Sequence, residues 1–266
     1  MPKSNVIVVT PIYKETLSVN ESIALRHSYG ILAAHDIWFI CPEGMNIAFY
    51  ESNFPQVKYV FFPPMFFQSA STYNSLMLSE LFYVYFSAYT HMLIVQTDAI
   101  VFADHLEYWT NSCFDYVGAP WRHGMVVEIP EMDSPFAGER VHMNVGNGGF
   151  SLRKIQSCAQ VLRELSVIVD RIMVNKDVYV RVERTSLVNE MSINANEDIF
   201  FALAGQISCN FIVPNPVHAS HFSFEYEPRR HLALINKLPM GAHAWERTDK
   251  DFWLQVFAEL GIAGII

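Results

Sequence analysis

Charge is sparse in this 266-residue chain, and positive charge sparser still. Asp, Glu, Lys and Arg make up 17% of it, with 18 basic against 27 acidic residues and a formal charge of −9. Such a balance argues against a nucleic-acid binder, which normally shows a basic face. It also means that any phosphorylated ligand must find concentrated positive charge, from a metal, helix N-termini or a few placed Lys and Arg. Cysteine is scarce as well. Cys41, Cys113, Cys158 and Cys209 show no C-x-x-C spacing, so neither a zinc site nor a disulfide framework is indicated, and reduced, mostly buried thiols are expected. No apolar run approaches the ~18 residues of a membrane span. Met1–Thr10 lacks the apolar stretch and cleavage site of a signal peptide, which makes the cytoplasm the expected location. The phosphate-cradling patterns G-x-x-x-x-G-K-S/T and G-x-G-x-x-G after a first strand are both missing. Internal repeats, low-complexity segments and linkers are missing too.

What is present is apolar. A hydrophobic content of 51% and an aromatic content of 14% describe a globular protein with a large core. Val6 to Pro11 reads as a buried strand and Ser18 to Ala34 as a helix capped by Ser18 or Asn20. Asp36 to Cys41 reads as a second strand, so the three form a βαβ unit with a parallel pair. A third strand over Val57–Phe62, a helix from Ser71 or Thr72 to about Tyr89, and a solid apolar strand at Met92–Val95 continue the pattern. Asp115–Trp121 reads as a further strand. Arg122–Asn144 reads as a long functional loop, because it is poor in regular pattern. Lys154–Ile172 and Asp249–Leu260 read as helices, with an apolar helix pattern at Ile199–Leu203. The expectation is one α/β domain spanning residues 1–266. Phe61–Phe67 is unusually apolar for a segment with two prolines; core packing explains it, and a membrane-surface patch is the alternative.

Three pieces carry chemistry. The buried strand at Met92–Val95 breaks into Gln96-Thr97-Asp98, and in open α/β sheets ligands bind beyond the carboxyl ends of the strands. A strand-end Asp capping the next turn accounts for that segment equally well. Asn147-Gly148-Gly149 permits close backbone approach, to a ligand or simply within a bulged turn. Glu197-Asp198 at a helix start either complements the helix dipole or holds a general base rigidly. His243, between Gly241 and Trp245, is a loop histidine or a metal ligand.

Tyr73-Asn74-Ser75-Leu76, Leu93 to Phe102, Asp115 to Trp121, Val145 to Arg153, Asn196 to Phe200 and Gly241 to Trp245 together resemble a bacterial family catalogued only as a domain of unknown function. That family occurs in surface-polysaccharide clusters and has the character of GT-A glycosyltransferases. The resemblance runs from about Val6 to Trp245. It implies a GT-A-like, Rossmann-type, mostly parallel twisted sheet flanked by helices. About residues 1–105 would form the nucleotide-sugar-binding half and about 106–266 the acceptor-binding half.

By the same resemblance, Asp98 matches the last Asp of the Asp-x-Asp motif that holds Mn2+ or Mg2+, with Gln96 in place of the first. His243 resembles the C-terminal histidine that completes the metal shell. Thr10, Pro11 and Tyr13 match the loop that holds base and ribose. Glu43 would face the base, and Asn74 the ribose or diphosphate. Gly148, Gly149 and Phe150 resemble the acceptor-flanking strand, with Trp121 and Trp245 beside it. Asp198 resembles the catalytic base of the inverting enzymes, with Glu197 orienting the acceptor. Lys14, Arg26 or Arg122 would assist the leaving group, and the segment 122–144 would serve as a lid.

The implied activity is hexosyl transfer from a nucleoside-diphosphate sugar, UDP foremost, to a glycan or lipid-linked glycan, with Phe61–Phe67 touching the inner membrane. A retaining transferase, a nucleotidyltransferase on the same fold, and a non-catalytic nucleotide-sugar or glycan-binding module are the rivals.

Overall fold

A computed structural model of the chain describes residues 5–128, 138–174, 181–184, 187–190 and 196–265. Its strands are β1 Val6–Pro11, β2 Asp36–Pro42, β3 Lys58–Phe62, β4 His91–Val95, β5 Ala99–Val101, β6 Tyr116–Val117, β7 Ala119–Glu128, β8 Arg140–Gly146, β9 Phe150–Lys154, β10 Arg181–Arg184, β11 Leu187–Glu190, β12 Ser223–Phe224 and β13 Gly241–His243. Its helices are α1 Val19–Ile31, α2 Ala48–Asn53, α3 Ala70–Met77, α4 Glu80–Tyr85, α5 Leu106–Thr110, α6 Ile155–Glu164, α7 Ser166–Val174, α8 Glu197–Ile207, α9 Pro216–Ser220, α10 Pro228–Ile235 and α11 Lys250–Glu259.

The main sheet has the order β3-β2-β1-β4-β9-β6. Its first four strands are parallel, and β9 and β6 turn it antiparallel at the far edge. Every residue of β1 and β4 is buried, because helices cover both faces. Val6 and Val8 face Leu25 and Tyr29 of α1, while Ile7 and Val9 face Phe82 and Tyr83 of α4 and Phe200 and Phe201 of α8. The order 3-2-1-4 is the half-Rossmann arrangement, in which ligands collect at the carboxyl ends of the strands.

Local signals account for several boundaries. Ser18 accepts from the Glu21 N–H while Glu21 reaches back to the Ser18 N–H, so a capping box starts α1. The expected long helix after residue 71 is two, α3 and α4, broken at Leu78–Ser79, with Ser69 as the cap of the first. Lys154–Ile172 is likewise split, at Leu165.

Instead of a long loop, Arg122–Asn144 contains most of β7 and β8, an antiparallel pair. Its Met143 and Val127 pack on Ile199 and Leu203 of α8, and that burial sustains the strands despite an irregular sequence pattern. Residues 129–137, part of the expected lid, lie outside the described residues. Within Phe61–Phe67, Phe62, Phe66 and Phe67 pack on the core, and Phe61 and Met65 are exposed. Among the described residues no helix is long and apolar enough to cross a membrane.

Candidate active site

A cleft of about 680 Å³ opens at the carboxyl ends of β1 and β4. Strand register builds its inner wall. Beyond Val95, Gln96 carries a tight turn in which the Ala99 N–H donates to its carbonyl (2.9 Å), and the chain leaves the main sheet as β5. Pairing of β5 with β13 sets His243 opposite Ala99, next to Asp98. Strand β12 runs parallel to β13 with Phe224 beside Ala242, so Glu225 follows alongside His243. On the other side, β9 pairs with β4 so that Phe150 opposes Val95, and the Gln96 N–H donates to the Gly149 carbonyl (2.8 Å).

These registers assemble a continuous string of polar groups. The Asp98 carboxylate accepts from Arg247 Nη2 (2.7 Å) on one oxygen and lies 3.2 Å from His243 Nε2 on the other. His243 Nδ1 lies 3.4 Å from Glu225 Oε1, and neither ring nitrogen is aligned for a directional hydrogen bond, so both contacts are ionic. Glu225 Oε2 accepts from Asn147 Nδ2 (3.2 Å), and the Asn147 N–H donates to Asp198 Oδ2 (3.1 Å). Asn147 has φ +114°, a conformation in which Asn is enriched among non-glycine residues. Its Oδ1 accepts from the Gly149 and Phe150 N–H groups. The two glycines serve packing: a Cβ on Gly149 would overlap His243 Nε2, and one on Gly148 would overlap Glu197 Oε1.

Electrostatics follow from this packing. Burial works to lower the His243 pKa, but the carboxylates of Asp98 and Glu225 outweigh it and raise it to about 9. Burial also works against the charge on Asp98, yet His243 and Arg247 hold its carboxyl below the usual range. Asp198 shifts the other way. Burial, together with Glu197 and Glu225, raises it to about 7. On the cleft wall Glu21 accepts from Thr97 Oγ1 (2.6 Å) and meets Lys14 Nζ at 3.7 Å. These contacts and the Ser18 cap keep it ionised against burial.

Asp98, His243 and Asp198 therefore meet in one region, with Gly148 and Gly149 between them, and Pro11, Tyr13, Gln96 and Asp98 line the cleft. The remaining expectations end elsewhere. Thr10 is fully buried and accepts from Tyr29 Oη, so its side chain faces the core. Glu43 is exposed beyond β2 and lines no part of the cleft. Asn74 is buried and donates to Asn196 Oδ1 (2.9 Å), which ties α3 to the start of α8. Glu197 turns inward to Arg153 (2.8 Å), away from any acceptor. Phe150 stacks on Phe222, Trp245 packs edge-on against Phe257, and Trp121 covers Gly146, so all three are core. Of the expected cations Lys14 lines the cleft and Arg26 is bonded to Asn53, while the side chain of Arg122 lies outside the described residues. Arg247 and Glu225 had no signal of their own in the sequence. Asn147 stood out only as part of a glycine-dense turn, and its bridge between Glu225 and Asp198 is set by the fold.

Comparison with known proteins bears on this cleft. Residues 56–243 match the family described as "Protein of unknown function (DUF5672)". The chain belongs to the DUF5672 family. No curated protein matches it. Among solved structures, this DUF5672 chain superposes on the galactosyltransferase LgtC in complex with donor and acceptor sugar analogues, at TM-score 0.52 and 14% identity. That match covers 96% of this chain and 94% of LgtC. An active-site mutant of LgtC gives the same TM-score and identity, covering 96% of this chain and 95% of that one. The bifunctional glycosyltransferase WbbM, without ligand, matches at TM-score 0.47 and 12% identity, over 91% of this chain and 46% of that one. The DUF5672 chain thus has the α/β, mostly parallel GT-A fold of LgtC along nearly its whole length.

That fold is often accompanied by a divalent metal. Among the described residues no three His, Cys, Asp or Glu form a metal cage. Two donors do suit such an ion. Asp98 Oδ1 and His243 Nε2 are 3.2 Å apart, close to the spacing of about 3 Å between adjacent ligands of an octahedral ion with bonds of about 2.1 Å. Glu225 lies behind Nδ1 at 3.4 Å, where a small turn of the ring would give the carboxylate–imidazole support of metal-binding histidines. A Mg2+-like ion held by one or two protein groups takes its other ligands from phosphates and water.

Proposed function

We propose that this DUF5672 chain is a glycosyltransferase that moves a hexosyl group from a nucleoside-diphosphate sugar, UDP foremost, to a glycan hydroxyl, with inversion, on the cytoplasmic side of the membrane. One observation carries the reading. A cleft lined by Lys14, Arg247 and Asp98 is joined from Asp98 through His243, Glu225 and Asn147 to Asp198, a carboxyl group raised to about 7.

The cleft suits the donor. Tyr13, 60% exposed, offers a ring face to a base, and Lys14 and Arg247, each paired with a cleft carboxylate, are the cations a diphosphate would meet. An ion held by Asp98 and His243 would add Lewis-acid stabilisation of the leaving diphosphate. Asp198 is the base. Its Oδ2 and Oδ1 accept from the Asn147 and Ile199 N–H groups, which fix the carboxyl while leaving lone pairs free for an acceptor hydroxyl. As that hydroxyl attacks the anomeric carbon, its proton passes to Asp198 and the bond to the diphosphate oxygen breaks, its electron pair leaving with the diphosphate. A base whose pKa lies near the working pH combines availability with driving force.

Asp198→Asn is expected to lower transfer by ~10²–10⁴-fold while leaving UDP binding intact. In the wild type, the rate should rise with pH through about 7 as the carboxyl loses its proton. NMR of the product anomer completes the test. Transfer near the wild-type rate in the variant overturns the assignment, and a retained anomer shifts proton acceptance to the leaving diphosphate.

A further inference from the structure

Beyond the donor cleft, a second groove of about 240 Å³ lies between β8, α8 and the segment leading into α9. Its floor is apolar, with Val145 and Ala202 buried, and Met143, Val213 and Pro214 beside them. Three carboxamides, Asn144, Gln206 and Asn215, stand exposed at its rim. None of its lining residues is ionisable, in a chain of net charge −9.

We propose that this groove binds an uncharged saccharide, as the subsite that holds the glycan acceptor beyond its reacting sugar. The inference rests on the transferase reading and adds the class of acceptor. Position supports it. Asp198, Ala202 and Gln206 follow one another at four-residue intervals on α8, so they share a helix face, with Ala202 about 6 Å and Gln206 about 12 Å along the axis from the base. On the facing strand, Val145 lies two residues before Asn147, whose N–H holds Asp198. The groove-lining Ala202 thus lies one helical turn from the base.

Chemistry supports it too. A sugar ring presents C–H faces and vicinal hydroxyls that both donate and accept. Apolar floors take the first, and carboxamides, each with an acceptor oxygen and a two-hydrogen donor, match the second. A uronate or sialate would find no cation in the groove and would be repelled by the protein's net charge. The groove volume is about that of eight water molecules in the liquid, the scale of one sugar ring.

The test uses the full chain, saturated with UDP and Mn2+, on an array of immobilised neutral and uronic-acid-bearing oligosaccharides. Neutral glycans should bind, acidic ones should not, and Gln206→Leu and Asn144→Ala should each weaken binding at least ~10-fold, two partial losses of hydrogen bonding. UDP-induced thermal shifts on the same preparations should be unchanged in both variants. If UDP shifts the melting point but no neutral glycan binds, or if the variants bind as wild type or acidic glycans bind better, the groove assignment fails and the transferase reading stands. Absence of any UDP shift in the wild type overturns both.

Discussion

Glu225 touches both limbs of the site, with Oε1 beside His243 and Oε2 on Asn147. Its carboxylate faces Nδ1 of His243 while Nε2 faces Asp98, so it supports the ring electrostatically from behind. Glu225→Gln should therefore weaken Mn2+ binding by about 10–100-fold, measured by calorimetry on protein with UDP; unchanged affinity would remove its supporting role. The same pair gives the metal-free protein a pH signature. The folded-state pKa of His243, about 9, lies above its unfolded value near 6.5, so folding takes up a proton between them. The stabilisation is fully present below about 6.5 and is lost as pH rises through about 9. In EDTA, the melting temperature should fall across that window, and His243→Gln should flatten this part of the profile. At this scale the sequence was half legible. Asp98, Asp198 and His243 stood out as chemistry in unlikely surroundings, and the fold brings them together. Glu225 and Arg247 are acidic and basic residues in a polar tail, indistinguishable there from solvated surface until strand register sets them beside His243 and Asp98.

Elements decide which way those residues face. Arg153, fully buried on β9, donates to Glu197 on α8 and to Tyr83 Oη on α4, so one guanidinium joins the antiparallel end of the sheet to the helix carrying the base. Burial opposes its charge, but its anionic and phenolic neighbours hold it protonated. Arg153→Met should cost about 3–5 kcal/mol in denaturant unfolding, because Glu197 is left buried without a counter-charge. Arg153→Met with Glu197→Gln should recover much of that loss, and failure to recover would mean that the pair does not act as a unit. The sequence misled on Glu197 for a physical reason. Adjacent carboxylates at a helix start look alike, but successive residues of a helix point about 100° apart, so one faces the core and the other the site. The parallel strands, by contrast, were plain, since a strand buried on both faces is written as an unbroken Val/Ile run. β7 and β8 were not, since their pattern mixes His, Arg and Gly with the Met and Val that bury against α8.

On the scale of the whole molecule, residues scattered from 98 to 243 converge because a single reversal builds the site. The chain leaves the parallel sheet at Gln96, returns antiparallel as β9, and closes β13 over β5, so that every limb ends at the same rim. Helices pack on both faces of the sheet in continuous cores, so binding at the rim should stabilise the body as one unit. A ligand at 100 times its Kd adds about 2.7 kcal/mol, which for a chain of this size raises the melting temperature by about 5–10 °C. UDP with Mn2+ should give such a rise, and UDP alone a smaller one through Lys14 and Arg247. Asp98→Ala removes the carboxylate opposite His243 but leaves both cations in the cleft. The Mn2+-dependent increment should vanish while the UDP-only shift persists. If the increment survives the substitution, the cation binds away from Asp98, and the leaving diphosphate is stabilised by Lys14 and Arg247 alone.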